Sequence, residues 1–441
     1  MLKREIYQSL VEWKADRERR PLLLRGARQV GKTYITQHFG NQEFTTFITL
    51  NLERNPEYKE IFSTLIPQEI IEKIALFTGT AIVPGKTLLF IDEIQEHPKA
   101  IMALRYFYEE MPHLHIIGAG SLLEFALQKE NFRMPVGRIQ FLYLYPLSFN
   151  EFLDAIGEVR LRAYLRTHDL ASIPTAIHNK LLSHLRKYFI LGGMPAVVNT
   201  YTQTKDVIAC QKLQHIILET YKQDFSKYAK DSKFKYLRKI FNKAPTLIGQ
   251  KFIYAKVDNQ IKSRELKDAL ELLETAGVLT RVTLSSGAGI PLSAHTKPNF
   301  FKIIFLDIGL MQAASGITQE TTLAKDFTAI YKGALAEQFV GQELLAYAKN
   351  YLKPKLFYWA REARSSSAEV DYLVEKDGII FPIEIKSGSS GRLKSLLLFL
   401  QKHPHLMGLK ISQAPYKKED RIIALPLYGI EKFMNYTPKA L

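Results

Sequence analysis

The chain has 441 residues and a formal net charge of +16, and 46% of its residues are hydrophobic and 24% charged. This is the composition of a folded rather than a disordered protein, and the length predicts roughly two to four domains. No apolar run approaches the roughly 18 residues that span a bilayer, so no membrane segment is expected.

Two further features favour the cytoplasm. The charged start, residues 1–5, lacks the apolar core and small-residue cleavage site of a secretory signal. Cys210 is the single cysteine and cannot form an internal disulfide, which suits a reducing compartment. A cytoplasmic location is therefore expected.

Residues 1–150 alternate predicted helices and strands. In chain order these are a helix with Ile6, Leu10 and Trp13 on one side, strands at 21–25 and 44–52, a helix opened by Pro67, a strand at 87–92, a helix at 98–111 and a strand at 115–118. This alternation predicts a doubly wound α/β domain with a parallel sheet.

The segment Gly26-Ala-Arg-Gln-Val-Gly-Lys32-Thr33 follows the first strand and precedes a helix-compatible run. Its glycines let the backbone curl round a phosphate group, and the following helix adds its dipole. Lys32 is predicted to contact the β- and γ-phosphates, and the Thr33 hydroxyl to bind Mg²⁺. The predicted ATP-binding residues of this loop are Gly26, Ala27, Arg28, Gln29, Val30, Gly31, Lys32, Thr33 and Tyr34.

Two acidic residues end the apolar strand at 87–92. Asp92 is predicted to hold the Mg²⁺ shell, and Glu93 to act as general base on the attacking water. An adjacent acid pair favours a hydrolase over a nucleotide-modifying kinase; the alternative is a strand that merely ends in solvated acids. We therefore predict an ATPase that uses ATP and Mg²⁺.

Two other positions extend this prediction. Ser121, just past the strand at 115–118, is a candidate polar sensor of the γ-phosphate or the attacking water, with a helix N-cap as the alternative. Arg138 is a candidate for reaching a phosphate, in its own chain or in a neighbouring subunit; the alternative is an ordinary surface arginine.

The middle of the chain is helical from about 151 to 245. A small helical group follows at 234–241, 250–256 and 263–276, and then a strand at 278–284 with a Gly/Ser/Pro-rich turn. Helices followed by a β-wing outline a winged helix, and a piece of an ordinary helical bundle is the alternative.

Positive charge is concentrated in the same region. Residues 222–267 contain eleven lysines and two arginines against four acidic residues. This balance favours a polyanionic partner, with DNA expected first, while a solvated helical surface is the alternative.

Residues 330–441 return to α/β character, with a helix at 334–348 and strands at 369–374 and 379–386. Asp377-Gly378 is a strong signal for a two-residue hairpin turn. With this turn, Asp371 faces Glu384 with their β-carbons roughly 5 Å apart, and Lys386 shares their face. A bulge at Pro382 would shift this register.

Two facing carboxylates repel each other unless a cation lies between them. A divalent metal bound by Asp371 and Glu384 is the economical cation, and Glu337 on the preceding helix is a third candidate ligand. Lys386 would then orient or polarise a nucleophilic water, as in a Mg²⁺-dependent phosphodiesterase. Asp371, Glu384 and Lys386 are accordingly the predicted catalytic residues; the alternative is a solvent-facing hairpin whose acids are offset by lysines.

Together these segments resemble the prokaryotic AAA-type ATPases with a C-terminal DUF4143 domain, a domain that is similar to the PD-(D/E)XK nuclease fold. The resemblance is nearly end to end. It is carried by Gly26–Thr33, Leu89-Phe-Ile-Asp-Glu-Ile, Gly120-Ser-Leu-Leu-Glu, Pro135-Val-Gly-Arg, Pro146-Leu-Ser-Phe-Asn-Glu-Phe-Leu, Gly192-Gly-Met-Pro, Asp224-Phe-Ser-Lys-Tyr, Phe305-Leu-Asp-Ile-Gly-Leu, Gly333-Ala-Leu-Ala-Glu, Glu369-Val-Asp and Pro382-Ile-Glu-Ile-Lys.

The resemblance implies ATP hydrolysis at the loop with Asp92 and Glu93, and nuclease-motif positions at Glu337, Asp371, Glu384 and Lys386. Because relatives can carry lysine at position 138, it disfavours an arginine finger there. The expected fold is an α/β multidomain protein. Its expected domains are a P-loop ATPase domain at 1–150, a helical lid or linker at 151–232, a winged-helix-like domain at 233–325 and a DUF4143, nuclease-like domain at 326–441.

Two functions follow from these patterns. The first is an ATP-driven DNA-processing enzyme that cuts a phosphodiester at the C-terminal acids. The second is an ATP-dependent binding switch that contacts nucleic acid or a protein without cleavage. A toxin–antitoxin or defence component is a third and weaker alternative, and the sequence leaves a homo-oligomer open.

Overall fold

The computed structural model describes residues 2–121, 123–127, 137–228, 231–316, 333–361, 368–386, 388 and 392–435. They divide into two compact units. The N-terminal unit comprises Lys3–Tyr145 with Lys349–Lys353, and the C-terminal unit comprises Met1–Leu2, Pro146–Ala348 and Pro354–Leu441. The expected domain boundary at 325/326 lies outside the described residues. Within the described part of the chain, no helix has the length and apolar character to cross a membrane.

The N-terminal unit contains a parallel sheet whose described strands are β1 (Leu22–Arg25), β2 (Thr46–Asn51), β3 (Thr87–Asp92), β4 (His115–Ala119) and β5 (Gln140–Tyr143). Their order across the sheet is β2-β3-β4-β1-β5. Every residue of β3 and β4 is buried, as expected for parallel strands covered on both faces. The carboxyl ends of parallel strands share one edge of the sheet, which is where open α/β sheets bind ligands.

The helices of this unit are α1 (Ile6–Ala15), α2 (Lys32–Glu43), α3 (Pro67–Thr78), α4 (Pro98–Glu110) and α5 (Leu123–Leu127). Both α3 and α4 begin at a proline, whose fixed φ and missing N–H suit the first turn of a helix. The predicted parallel α/β domain is confirmed, and each strand and helix predicted there overlaps an observed one.

The C-terminal unit begins with helices, and its later part combines helices with a mixed sheet. Its described helices are α6 (Phe149–Ala155), α7 (Val159–Thr167), α8 (Thr175–Leu191), α9 (Pro195–Thr204), α10 (Val207–Tyr228), α11 (Asp231–Lys243), α12 (Tyr254–Val257), α13 (Ser263–Thr275), α14 (Ile308–Ala314), α15 (Ala334–Ala346), α16 (Lys394–Lys402) and α17 (Ile430–Asn435). The helix predicted at 250–256 is wrong in its first half. The Phe252 N–H donates to the Phe301 carbonyl oxygen at 2.8 Å, which holds that segment beside a strand instead.

The strands of this unit that the structure describes are β6 (Leu279–Ser285), β7 (Thr296–Phe305), β8 (Leu356–Ala360), β9 (Glu369–Lys376), β10 (Ile379–Ile385), β11 (Gly408–Ser412), β12 (Lys417–Glu419) and β13 (Ile422–Pro426). They form one mixed sheet in the order β12-β13-β11-β10-β9-β8-β6-β7. The antiparallel hairpin β6–β7 continues this sheet because β6 pairs in parallel with β8.

The predicted β9–β10 hairpin is confirmed. Its register runs from Ile379 opposite Lys376 to Ile383 opposite Tyr372, and Pro382 pairs without a bulge. The paired residues stop one position before Asp371 and Glu384. Six of the seven residues of β10 are buried, so both faces of this strand are covered and neither face is open to solvent.

Segments quoted above for the resemblance also meet in a buried network of the C-terminal unit. The Gly193 N–H donates to Asp307 Oδ2 at 2.6 Å, and the Gly193 carbonyl accepts from Leu147 N–H at 2.7 Å. Gly192 has φ 70°, and a β-carbon there would stand 2.1 Å from Asp307 Oδ1. These contacts give the two glycines and Asp307 an architectural role.

Candidate functional site

Two glycines shape the loop between β1 and α2. Gly26 has φ 147°, and a β-carbon there would stand 2.2 Å from the carbonyl oxygen of Leu144, so a larger residue does not fit. Gly31 has φ 97° and caps the start of α2. Lys32 Nζ donates to the carbonyl oxygens of Gly26 and Ala27 at 2.8 Å each. The loop therefore curls round the lysine ammonium group.

The ammonium group of Lys32 lies in a buried position. Burial lowers the pKa of Lys32 to about 8, although the neighbouring carboxylates of Glu93 and Asp92 raise it. This lysine is thus less firmly protonated than a surface lysine, and an anion at the loop would stabilise its charged form.

Asp92 lies at the carboxyl end of β3 and joins three elements. Its carboxylate accepts the Thr33 hydroxyl at 3.2 Å, the Asn51 side-chain amide at 3.2 Å and the Glu93 N–H at 3.2 Å. Burial raises the pKa of Asp92, and so does the charge of Glu93. A hydroxyl beside a carboxylate at the end of a phosphate loop fits the oxygen ligands of Mg²⁺.

Glu93 has a backbone in the left-handed region, with φ 50°. This conformation is uncommon for a residue with a side chain. The Oε2 atom of Glu93 accepts the Ser121 N–H at 3.1 Å, the Ser121 hydroxyl at 3.2 Å and the Gln95 side-chain amide at 2.6 Å. The structure therefore brings Ser121 to Glu93 and holds that carboxylate in one orientation.

Arg4 fixes the loop from the N-terminal side. It is buried, and it donates to the Val30 carbonyl at 3.0 Å and to the Tyr145 carbonyl at 2.6 Å. Leu144, next to Tyr145, donates its N–H to the Arg25 carbonyl at 2.8 Å. The phosphate loop and the chain leaving β5 are thus tied together within this unit.

The remaining predicted ATP-binding residues line the same loop. Gln29 has φ 64°, and Tyr34 in the first turn of α2 is 41% exposed. Arg138 lies elsewhere: its side chain donates to Glu109 at 2.9 Å and lies over the Tyr108 ring at 5.9 Å. The described contacts of Arg138 are those of a surface ion pair. Pro135 and Val136 of its motif lie outside the described residues.

The predicted C-terminal site residues also meet, but around a residue that the sequence analysis did not single out. Lys302 on β7 is 0% exposed, and its Nζ lies 2.7 Å from Glu337, 2.6 Å from Glu369 and 3.8 Å from Asp371. The cation among these carboxylates is therefore a lysine ammonium group.

The remaining contacts of this acid cluster (Glu337, Glu369, Asp371 and Glu384) also engage carboxylate oxygens. Lys386 Nζ donates to Glu384 Oε1 at 2.6 Å, and the Ile385 N–H donates to Asp371 Oδ2 at 2.6 Å. Burial raises the pKa of Glu337 to about 7 and that of Asp371 to about 6, while Lys302 lowers both. Glu384 Oε2 is buried and has no hydrogen-bond partner among the described residues.

These acids do not fit a divalent metal as they are placed. The ammonium group of Lys302 already contacts Glu337 Oε1 and Glu369 Oε1. Among the residues that the structure describes, no group of three or more His, Cys, Asp or Glu side chains is arranged to hold a metal ion. Metal binding at Glu337, Asp371 and Glu384 stays a prediction.

Sequence reasoning missed Lys302, Glu369, Asn51 and Arg4. A lone lysine in the apolar run 300–305 was the available signal for Lys302, because a cation in such a strand needs buried partners. Asn51 ends β2 as Asp92 ends β3, and the two are paired in the sheet. For Arg4 the sequence offered no signal, since its acceptors are backbone carbonyls.

Three family models match the chain. Residues 18–153 match an AAA domain, residues 182–321 a domain of unknown function (DUF8612) and residues 332–430 a domain of unknown function (DUF4143). The N-terminal unit thus contains an AAA-type, P-loop NTPase-like domain, as the resemblance implied, and a DUF4143 domain lies in the C-terminal unit. No curated protein sequence matches the chain.

The chain is also similar to several solved structures. A Walker-type ATPase of Pyrococcus abyssi is 17% identical with a TM-score of 0.45, covering 71% of this chain and 96% of its own. The Aeropyrum pernix ORC1 protein in complex with DNA is 12% identical with a TM-score of 0.31, covering 74% and 93%. The Thermotoga maritima RuvB Holliday junction branch migration motor is 16% identical with a TM-score of 0.32, covering 64% and 90%.

Proposed function

We propose that the N-terminal unit binds ATP with Mg²⁺ and hydrolyses it, with Glu93 as the general base. The carrying observation is the contact of the Thr33 hydroxyl with Asp92 at 3.2 Å, directly beside a Glu93 carboxylate that Ser121 holds in place. The AAA domain match over residues 18–153 supports the same conclusion.

Each residue has a defined part in this reaction. Backbone N–H groups of the 26–32 loop bind phosphate oxygens, and Lys32 exchanges its two carbonyl contacts for the β- and γ-phosphates. Thr33 and Asp92 would hold Mg²⁺, which supplies positive charge to the phosphates when bound. Glu93 takes the proton of the water whose oxygen bonds to the γ-phosphorus, while the bond to the β-phosphate oxygen breaks and ADP leaves.

Nucleotide binding and phosphate release, measured on the same preparations, test this assignment. Lys32→Ala is expected to lose ATP binding, whereas Glu93→Gln is expected to bind ATP and release no phosphate. Lys86→Ala and Glu72→Gln are matched controls because both residues are exposed in the same unit. Hydrolysis at the wild-type rate in both site variants would remove the assignment.

The second part of the proposal is that the C-terminal unit binds DNA through α11 and α13. Lys235 and Arg238 are exposed on α11, and Arg264 and Lys267 on α13. The two helices are joined by an ion pair between Lys233 and Asp268 at 2.8 Å. The hairpin β6–β7 follows them, in the chain order of a winged helix, so we retain the winged-helix-like division at 233–325.

Cleavage of DNA is a second candidate, since the DUF4143 match covers Glu337, Asp371, Glu384 and Lys386. The position of Lys302 favours the non-cleaving switch over cleavage. Incubating the protein with DNA and Mg²⁺ or Mn²⁺, with and without ATP, distinguishes cleavage from binding without cleavage. Cleavage by the wild type that Asp371→Ala abolishes would establish the nuclease, and equal absence of cleavage supports the switch.

A further inference from the structure

The acid cluster of the C-terminal unit carries its own cation. We propose that Lys302 is the resident counterion of Glu337, Glu369 and Asp371 and that it keeps divalent metals out of this cluster. The inference concerns only these side chains, and it stands whether or not the chain hydrolyses ATP or binds DNA.

The ammonium group of Lys302 contacts three carboxylates, as a bound cation in this cluster would. Its ammonium group lies 2.7 Å from Glu337 Oε1 and 2.6 Å from Glu369 Oε1, with Asp371 Oδ1 at 3.8 Å. The ring centroid of Tyr358 lies 5.2 Å from the same nitrogen. An ammonium group is costly to bury without partners, and these three carboxylates supply them.

The partners of Lys302 come from elements that lie apart from β7 in the chain and in the sheet. Lys302 lies on β7, and both β6 and β8 lie between β7 and β9 in the sheet. Its ammonium group nevertheless lies close to Glu369 and Asp371 on β9. Glu337 meets it from the first turn of α15, so three separate elements converge on one nitrogen.

A divalent metal would compete directly with this nitrogen. One oxygen of each carboxylate already has a partner: Glu337 Oε1 and Glu369 Oε1 contact the ammonium group, Asp371 Oδ2 accepts from the Ile385 N–H, and Glu384 Oε1 accepts from Lys386, while Glu384 Oε2 has no partner among the described residues. A doubly charged ion at these oxygens would lie within a few ångströms of a fixed positive charge, where repulsion is strong in a buried setting. Removing that charge without changing the side-chain volume should therefore create a metal site.

Lys302→Met is the matching change, because methionine keeps a long unbranched chain and loses the ammonium group. Mn²⁺ binding is measured by the electron paramagnetic resonance signal of free Mn²⁺, without nucleotide, on the full chain. The set comprises the wild type, Lys302→Met, Asp371→Asn, the double variant, and Lys297→Met as an exposed lysine control on the same strand.

Lys302→Met is expected to bind one more Mn²⁺ than the wild type, and the double variant with Asp371→Asn is expected to lose this ion. The wild type and Lys297→Met are expected to have no Mn²⁺ site that Asp371→Asn removes. Wild-type Mn²⁺ binding that Asp371→Asn abolishes would overturn the proposal. So would a Lys302→Met chain with wild-type circular dichroism and no additional Mn²⁺. Should Lys302→Met not fold, the comparison of the wild type with Asp371→Asn decides alone: equal Mn²⁺ binding upholds the proposal, and lower binding by Asp371→Asn overturns it.

Discussion

Ser121 donates two hydrogen bonds to the same oxygen of Glu93, one from its N–H at 3.1 Å and one from its hydroxyl at 3.2 Å. The two residues follow β4 and β3, which are neighbours in the sheet. The carboxylate of the proposed general base is thus oriented from the adjacent strand end, and we expect Ser121 to act as a positioning residue for it.

Ser121→Ala removes one of these two hydrogen bonds and leaves the backbone one. We expect ATP affinity to stay unchanged and the hydrolysis rate to fall about tenfold, a small part of the effect of a general base. Phosphate release under saturating ATP measures this, and Ser121→Thr, which keeps the hydroxyl, should retain the rate. A fall in affinity with an unchanged rate would show that Ser121 acts on binding instead.

ATP affinity should depend on pH through Lys32. Burial lowers the pKa of Lys32 to about 8, so above that pH the free protein loses the proton that phosphate binding requires. Apparent affinity should then fall by about tenfold per pH unit. Titrations with a fluorescent ATP analogue between pH 7 and 9.5 measure the fall, and an affinity that is constant over this range would contradict it.

Arg4→Met should weaken the phosphate loop from outside its motif. The substitution removes charged hydrogen bonds to Val30 and Tyr145, each typically worth about 1.5–3 kcal/mol. We expect a lower thermal midpoint of the N-terminal unit, followed by Trp13 fluorescence in a Trp359→Phe background, and weaker ATP binding. Lys3→Met is the exposed neighbouring control, and equal behaviour of the two variants would refute the role of Arg4.

The nucleotide site was largely predictable because its signals are local. The loop glycines, Lys32 and Thr33 lie within eight residues, and the apolar strand at 87–92 marks Asp92. The alternation of strands and helices then places both at one sheet edge. The orientation of Glu93 by Ser121 was not predictable, since it depends on a left-handed backbone at Glu93 and on the strand order.

The acid cluster was predictable only in part. The turn at Asp377-Gly378 fixes the register of β9 and β10, but the two facing carboxylates in the sequence indicate a metal ion as their cation and not a lysine. Lys302 lies on a strand that is distant in sequence and separated from β9 by two strands in the sheet, and no local pattern brings it to Asp371. The pairing of strands that are distant in sequence determines which cation contacts these carboxylates.

DNA binding should depend on the exposed charges of α11 and α13. The quadruple change of Lys235, Arg238, Arg264 and Lys267 to alanine should weaken binding and reduce the salt slope of log K by up to about four. Fluorescence anisotropy with a labelled duplex at several salt concentrations measures both. As a control, Lys417→Ala with Lys418→Ala on the exposed strand β12 should change neither. If the quadruple variant and the Lys417/Lys418 double variant weakened DNA binding equally, the net charge of the chain, and not the surface of α11 and α13, would account for binding.

The free energy of unfolding should depend on pH through the protonation of Glu337. Burial raises its pKa from 4.5 to about 7, so between these values the folded chain holds a proton that the unfolded chain has lost. The contribution of Glu337 to stability is therefore present below about pH 4.5 and is lost as the pH rises through about 7. The urea midpoint of the wild type should accordingly fall, relative to that of Glu337→Gln, between pH 5 and 8.

Trp359 fluorescence in a Trp13→Phe background follows this transition, because Trp359 lies on β8 of the C-terminal unit. Glu72→Gln, an exposed change on α3, should run parallel to the wild type. A Glu337→Gln profile that also runs parallel would show that Glu337 does not titrate in this range.

The most direct test of ATP hydrolysis is the identity of the nucleotide that remains bound after incubation with ATP and Mg²⁺. Rapid filtration followed by chromatography of the bound nucleotide measures it for the wild type and Glu93→Gln. The structure predicts ADP on the wild type and intact ATP on Glu93→Gln, because only the proton acceptor is lost while Lys32, Thr33 and Asp92 remain. ADP on both proteins at equal rates would contradict the assignment of Glu93 as the general base.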